Sequence, residues 1–261
     1  MCLLVLAWRA HPGYRLILAA NRDEFHERAA APLAKWPPPQ AIIAGRDLRA
    51  RGTWLAVDRT RRLGVVTNYR ELQPPRPGAP SRGDLIPNYL ATAPSEGPGE
   101  FLAALAGEAA TYSGFNLLLA DAGSLWYGSN RADPFARELA PGVYGLSNES
   151  LDTPWPKLQR VRTGFESLLR TADPSPAALF RLLCDRTPAD TALLSGSSGL
   201  PQGWARALSA PFVLNPRYGT RCSSVLLLKD SGQLYLAERR FDAHGAGVGE
   251  TEFELNSGEW P

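Results

Sequence analysis

An α+β sandwich built as a single domain is the fold class that the sequence predicts, and three observations predict it. Apolar runs of strand length fill the first and last parts of the chain while helix-periodic segments fill the middle, the element order of an α+β fold. The first two runs are apolar on both faces, so their strands need cover on two sides, as an inner layer does. The 261 residues contain no joint that separates two self-sufficient cores, and that length is within reach of one large domain.

Taken in order, Cys2–Trp8 and Tyr14–Ala20 are strands around Arg9–Gly13, whose His-Pro-Gly makes the pair a hairpin. Short strands follow at Ala41–Ala44, Thr53–Asp58, Leu63–Thr67, Phe115–Asp121, Leu125–Gly128 and Val143–Leu146, with short helices at Arg82–Thr92 and Glu100–Ala109. Between Pro154 and about Arg186 the apolar residues Leu158, Val161, Phe165, Leu168 and Leu169, then Leu179, Phe180, Leu183 and Cys184, recur at three- and four-residue steps, so two consecutive helices are expected. Cys222–Leu228 and Gln233–Arg239 flank Asp230-Ser231-Gly232 as a second hairpin, and Glu250–Leu255 is a final strand. Pro- and Gly-rich stretches at Trp36–Pro39, Pro74–Pro80 and Ser195–Gly203 read as loops. There is no internal repeat.

Composition excludes several classes. Apolar residues make up 44% and charged residues 21%, which argues against disorder, coiled coil, collagen and integral membrane proteins. With 28 basic against 26 acidic residues the net charge is +2, too weak a field to draw in nucleic acid or a membrane surface. Three cysteines at no useful spacing support neither a disulfide framework nor a metal site, and point to a reducing compartment. Met1–Trp8 is too short for a signal segment, and no stretch reaches the roughly 18 apolar residues of a membrane span. A soluble cytoplasmic protein with no stable membrane insertion is expected.

The hairpin sets up chemistry at the N-terminus. A turn centred near His11 and Pro12 gives paired residues an index sum of about 22–24, which puts Cys2 across from Ala20–Arg22. If Cys2 pairs with Asn21, its sulfur shares a face with Asn21 and Asp23, while Arg22 and Glu24 take the other face. Residue 2 is small enough for removal of Met1, which would leave a thiol and an α-amine on one residue. Their ordinary pKa values of about 8.5 and about 7.7–8.0 make proton transfer between them nearly balanced, as a nucleophile with its own base requires. Asp23 would orient the amine and Asn21 would add a neutral hydrogen bond. The competing reading of Cys2 is an inert, buried strand residue.

Met1-Cys2-Leu3-Leu4-Val5 followed by Leu18-Ala19-Ala20-Asn21-Arg22-Asp23-Glu24-Phe25 resembles the NRDE family, also called the transport and Golgi organisation family. Further motifs hold that order along the chain: Gly45-Arg46-Asp47 with Gly52-Thr53-Trp54, Thr67-Asn68-Tyr69-Arg70, Ser81-Arg82-Gly83, Gly114-Phe115-Asn116, Gly145-Leu146-Ser147-Asn148 and Tyr218-Gly219-Thr220-Arg221. That family is similar in turn to the N-terminal nucleophile hydrolases, above all the cysteine amidases of conjugated bile acids and penicillin V. The resemblance implies a four-layer αββα sandwich and an acyl transfer from a small-molecule amide or thioester, with no cofactor. It places the nucleophile on Cys2 and the carboxylate on Asp23, with Asn21 beside them. It puts oxyanion donors on Asn68 and Asn148, and on Arg221 a cation for the thiolate or a substrate carboxylate. Arg22, Glu24, Arg46, Trp54, Tyr69, Arg70 and Asn116 become candidates for binding substrate or ligand. The amidases carry an Arg just before the hairpin Asn, where this chain has Ala20, and alternation turns Arg22 away from Cys2.

Members of the resembled family are linked to haem movement and to acyl-coenzyme A or lipid metabolism, which implies an alternative: a non-catalytic carrier of an anionic hydrophobic ligand. Haem would need an axial ligand from His26, a Cys or a Tyr. Arg46, Arg49, Arg51, Arg59, Arg61 and Arg62 either attract an anion or form a solvated face, and Trp36, Trp54 and Tyr69 either wall a pocket or fill the core. His11 and His244 are expected to be exposed. Gly245–Gly249 and Ser195–Gly199 lack the context of a dinucleotide fingerprint or a nucleophile elbow and read as turns.

Overall fold

Apolar runs at the N-terminus become strands wherever neighbours can cover them on both faces. The computed structural model describes residues 2–71, 78–170, 173–190 and 201–261. Its strands are β1 (Cys2–His11), β2 (Tyr14–Phe25), β3 (Ala30–Lys35), β4 (Ile42–Asp47), β5 (Leu55–Asp58), β6 (Leu63–Asn68), β7 (Phe115–Ala120), β8 (Leu125–Ser129), β9 (Ala136–Glu138), β10 (Gly142–Leu146), β11 (Tyr218–Lys229), β12 (Leu234–Phe241) and β13 (Gly247–Leu255). The helices are α1 (Leu85–Ala91), α2 (Pro98–Leu105), α3 (Pro156–Leu168), α4 (Pro176–Leu183) and α5 (Gln202–Leu208). Most of the loops expected at Pro74–Pro80 and Ser195–Gly203, with all of Ser195–Gly199, lies outside the described residues.

The chain divides into two compact units. The first comprises Met1–Glu27, Pro141–Ser147 and Leu151–Glu254, and carries a six-stranded sheet in the order β10-β1-β2-β11-β12-β13. Helices α3 and α4 cover one face of it. Leu158, Val161 and Phe165 of α3 and Leu179, Phe180 and Leu183 of α4 pack on Leu3, Val5, Ile17, Ala19, Val225 and Ala237. Both helices begin with Pro at a first-turn position, where the missing N–H costs nothing.

The second unit comprises Arg28–Ala140, Asn148–Ser150 and Leu255–Pro261, and carries a seven-stranded meander from β3 to β9 in chain order. Helices α1 and α2 cover one face, with Ile86, Tyr89 and Leu102 packed on Ile42, Ala56, Leu117 and Leu119. The motif glycines of this unit serve backbone contact. A Cβ on Gly52 would lie 2.4 Å from the carbonyl carbon of Gly83, and the Thr53 N–H donates to Gly83 O at 3.0 Å. Two antiparallel sheets and two helical layers are therefore present, as the α+β expectation requires.

Several expectations are corrected. β3 and β9 went unpredicted because they are the edge strands of the meander: β3 buries only Leu33 and contains Pro32, and β9 buries none of its three residues. α5 falls partly in an expected loop. His11 is buried, with its ring edge-on to Tyr14 at 5.3 Å. Arg61 and Arg62 are neither an anion patch nor a solvated face. Arg62 pairs with Asp58 at 2.8 Å and donates to Leu90 O and Thr92 O, capping the C-terminus of α1, and Arg61 donates to Asn256 O and Glu259 O. Trp36 is core, its Nε1 donating to Ala44 O at 3.1 Å.

Candidate active site

β2 does not end with its apolar run. It continues through Asn21-Arg22-Asp23-Glu24 because β11 pairs with that stretch residue by residue, Asp23 opposite Thr220 and Glu24 opposite Gly219. On the other side of β2, Cys2 pairs with Arg22 and Leu3 with Asn21. This corrects the expected facing. Directly opposed residues share a face, so Cys2 stands with Arg22, and alternation sends Asn21 and Asp23 to the face that α3 and α4 cover.

Asn21 is consequently a tie. Its Nδ2 donates to Leu183 O and to Pro211 O, each at 2.9 Å, and its Oδ1 accepts from Ser223 Oγ at 2.6 Å. Both amide hydrogens are spent on main-chain carbonyls, one of them at the C-terminus of α4, so Asn21 has none left for a substrate.

Asp23 is the buried acid of the site, 2% exposed. Thr220 Oγ1 donates to its Oδ1 at 2.7 Å while accepting from the Val213 N–H at 2.8 Å, and Tyr218 OH donates to its carbonyl at 2.7 Å. Burial pushes the Asp23 carboxyl above the usual range, against the pull of Lys157, the Thr220 hydroxyl and Arg22. Lys157 is a member of the site that the sequence reading missed. It lies in the first turn of α3, 4% exposed, and its charge acts on Asp23. A signal was available: Lys157 sits four residues before Val161, on the buried stripe, and it is one of only three lysines.

Cys2 is half-buried at the start of β1. Burial raises its thiol pKa and the Asp23 charge adds to the rise, while Arg22 and a hydrogen bond from the Asp23 main-chain N–H act the other way. The net direction is upward, so this thiol needs a base to become a nucleophile. Next along the same row, Cys222 also pairs with Arg22. Burial and its hydrogen-bonded neighbour Glu238 push the Cys222 thiol well up, which keeps it protonated.

Arg221 occupies the extra position of a bulge between Thr220 and Cys222, a device that re-aims a side chain. Its Nη1 lies 2.9 Å from His26 Nδ1, and His26 Nε2 lies 2.9 Å from Asn215 O. A carbonyl only accepts, so Nε2 carries the proton and Nδ1 accepts from Arg221. Both nitrogens of His26 are thus engaged by neighbouring groups. Among the described residues there is no cluster of three or more His, Cys, Asp or Glu side chains placed to hold a metal ion.

The second unit gathers the remaining motif residues at one end of its own sheet. Asn148, in the left-handed region at φ 59°, donates from Nδ2 to Asn68 O at 2.9 Å, and its carbonyl accepts from the Arg70 N–H at 2.7 Å. Asn116 is fully buried. Its Nδ2 donates to Glu149 O at 3.0 Å and its Oδ1 accepts from Tyr127 OH at 2.7 Å, a supporting role rather than a ligand-binding one. Arg70 is half-buried beside Glu149, its pKa lowered by burial against the pull of that carboxylate. Tyr69 and Trp54 are half-buried, and the Tyr69 N–H donates to Gly114 O at 2.9 Å. Arg46 lies 4.5 Å from the Trp36 ring centroid and donates from Nε to Arg51 O. Within the first unit, Glu24 completes the set at 3.8 Å from Arg22.

With this geometry in view, comparison with known proteins finds a family model described as Transport and Golgi organisation 2 that matches residues 1–243. The mouse Transport and Golgi organization 2 homolog is 32% identical over 280 residues, spanning 98% of this chain and 100% of the mouse protein. The bovine homolog is 34% identical over 279 residues with the same coverage, and the Drosophila melanogaster protein is 27% identical over 273 residues, spanning 94% of this chain and 95% of its own. Among solved structures the chain is similar to a Caenorhabditis elegans N-acylethanolamine-hydrolyzing acid amidase ortholog, with TM-score 0.46 and 12% identity, covering 87% of this chain and 92% of that one. That likeness is too distant to bear on activity. No helix among the described residues is long and apolar enough to cross a membrane.

Proposed function

We propose, for a chain that belongs to the Transport and Golgi organisation 2 family, that Cys2 is the nucleophile of an acyl-transfer reaction on a small-molecule amide or thioester. The observation that carries this reading is the setting of the Cys2 sulfur. It lies at a strand end, hydrogen-bonded by the Asp23 N–H, with a buried carboxylate and a buried guanidinium on the adjacent strand.

The reaction follows from what the thiol lacks. Its pKa is raised, so the α-amine exposed on Cys2 by loss of Met1 takes the thiol proton. The thiolate attacks the acyl carbon, and the C–N or C–S bond breaks as the leaving nitrogen or sulfur receives the proton from the α-ammonium. The acyl group is then a thioester on Cys2. Water attacks that carbon, gives its proton to the amine, and releases the carboxylic acid with the thiol restored. Asp23, fixed by Thr220 and balanced by Lys157, orients the ammonium each time the amine holds a proton, first the one from the thiol and then the one from water.

A panel of N-acyl amides and acyl thioesters tests this, with release of amine or thiol as the readout. Turnover of one class, abolished in Cys2→Ala and in Asp23→Asn with the fold retained, is the expected result. Turnover that survives in Cys2→Ala overturns it.

A further inference from the structure

We propose that Arg22 is the counter-charge against which the Cys2 thiolate forms, a positioning role that rests on Cys2 being the reacting thiol. Three observations point to it. Cys2 and Arg22 are directly opposed in the β1–β2 ladder, and such pairs hold their Cβ atoms about 4.5–5.5 Å apart on one face. Arg22 is 6% exposed, so its charge acts through low dielectric where it counts most. The other arginine with a claim on the thiolate, Arg221, is turned by its bulge onto His26.

Charges around the pair decide which sulfur benefits. Arg22 stands in register between Cys2 on β1 and Cys222 on β11. Burial and Glu238 of β12 push the Cys222 thiol well above its ordinary range, while the Cys2 thiol is raised without a Glu238 beside it, so Cys2 is the sulfur better placed to use the guanidinium. Arg240 of β12 pairs across from Cys222. On β2 itself, Glu24 at 3.8 Å offsets part of the Arg22 charge and Asp23 opposes the thiolate, and from α3 Lys157 acts on Asp23.

The test is alkylation of the full chain with iodoacetamide across a pH series, with the adduct placed by peptide mapping so that Cys184 and Cys222 are counted separately. Wild type gives a midpoint for Cys2. Arg22→Gln moves that midpoint upward and slows alkylation at pH 7 about tenfold for each unit of movement, while Arg22→Lys recovers most of the rate. Glu24→Gln, which removes the offsetting charge and keeps Arg22, moves the midpoint the opposite way. Superimposable wild-type and Arg22→Gln profiles in folded protein overturn the proposal. Should Arg22→Gln fail to fold, a Glu24→Gln profile identical to wild type overturns it equally. Alkylation needs no substrate, so Arg22-dependent profiles in a chain that never accepts an acyl group would sink the hydrolase reading and leave this one standing.

Discussion

Asn21→Ala separates a scaffold from a chemical group. In the folded chain the Asn21 side chain closes three buried hydrogen bonds, to Leu183 O and Pro211 O at 2.9 Å and from Ser223 Oγ at 2.6 Å. Truncation strands two carbonyls and a hydroxyl in a place where Asn21 itself is 1% exposed. Each stranded group costs about 1–3 kcal/mol, and the Ser223 hydroxyl recovers part of its share by rotating, so the expected loss is about 3–5 kcal/mol. That is a large fraction of a total stability of about 5–15 kcal/mol, and at about 2–4 °C per kcal/mol the midpoint falls by roughly 10 °C. Urea denaturation followed by far-UV circular dichroism reads it as a lower midpoint at constant slope. Asn21→Asp keeps the acceptor for Ser223 but loses both donors and buries a charge against two carbonyls, so it should be no milder. An Asn21→Ala chain within about 0.5 kcal/mol of wild type, the range of neutral surface changes, that has lost Cys2 reactivity would refute the assignment and return Asn21 to the chemistry.

Three other outcomes follow from contacts elsewhere in the fold. Thr220→Val removes the donor to Asp23 and the acceptor of the Val213 N–H while keeping the shape, so stability should fall by about 2 kcal/mol in chemical denaturation, and an unchanged midpoint speaks against the Thr220 bridge. Gly52→Ala drives a Cβ to 2.4 Å from main-chain Gly83, contact that no rotamer relieves, and should cost about 1–3 kcal/mol or more in a thermal melt. For Glu71, burial pushes the carboxyl up but the Gly114 N–H, Arg131 and Arg82 outweigh it and hold the folded value low. Its contribution is therefore present above the unfolded carboxylate pKa and lost as pH falls through the folded one, so Glu71→Gln should show a shallower acid limb of stability than wild type.

How much of the site could be read in advance turns on one residue of register. The index sum of the first hairpin was expected at about 22–24, and along most of the ladder it is 24, as in Cys2 with Arg22 and Trp8 with Leu16. At the turn it is 25, His11 with Tyr14, because the chain reverses at Pro12 and Gly13 and a bulge with Arg9 at φ 45° absorbs the difference. Nothing in the polar-apolar pattern marks that bulge, and the slip of one residue exchanged Asn21 for Arg22 as the partner of Cys2. The helices α3 and α4 were legible because their stripes repeat over whole turns. The polar half of β2 was not, since its burial depends on β11 and on carbonyls roughly 160–190 positions away along the chain. Lys157 is hard to read for the opposite reason: its spacing fits the apolar stripe, but a lysine is ordinarily solvent-exposed and this one is buried.

Intact-mass analysis of the purified chain before and after exposure to a reactive acyl thioester bears most directly on Cys2 as nucleophile. The expected result is a chain that lacks Met1 and gains one acyl group, mapped to Cys2 and absent from Cys2→Ala. A chain that keeps Met1, or one that takes up acyl groups only at Cys184 or on lysines, would contradict it.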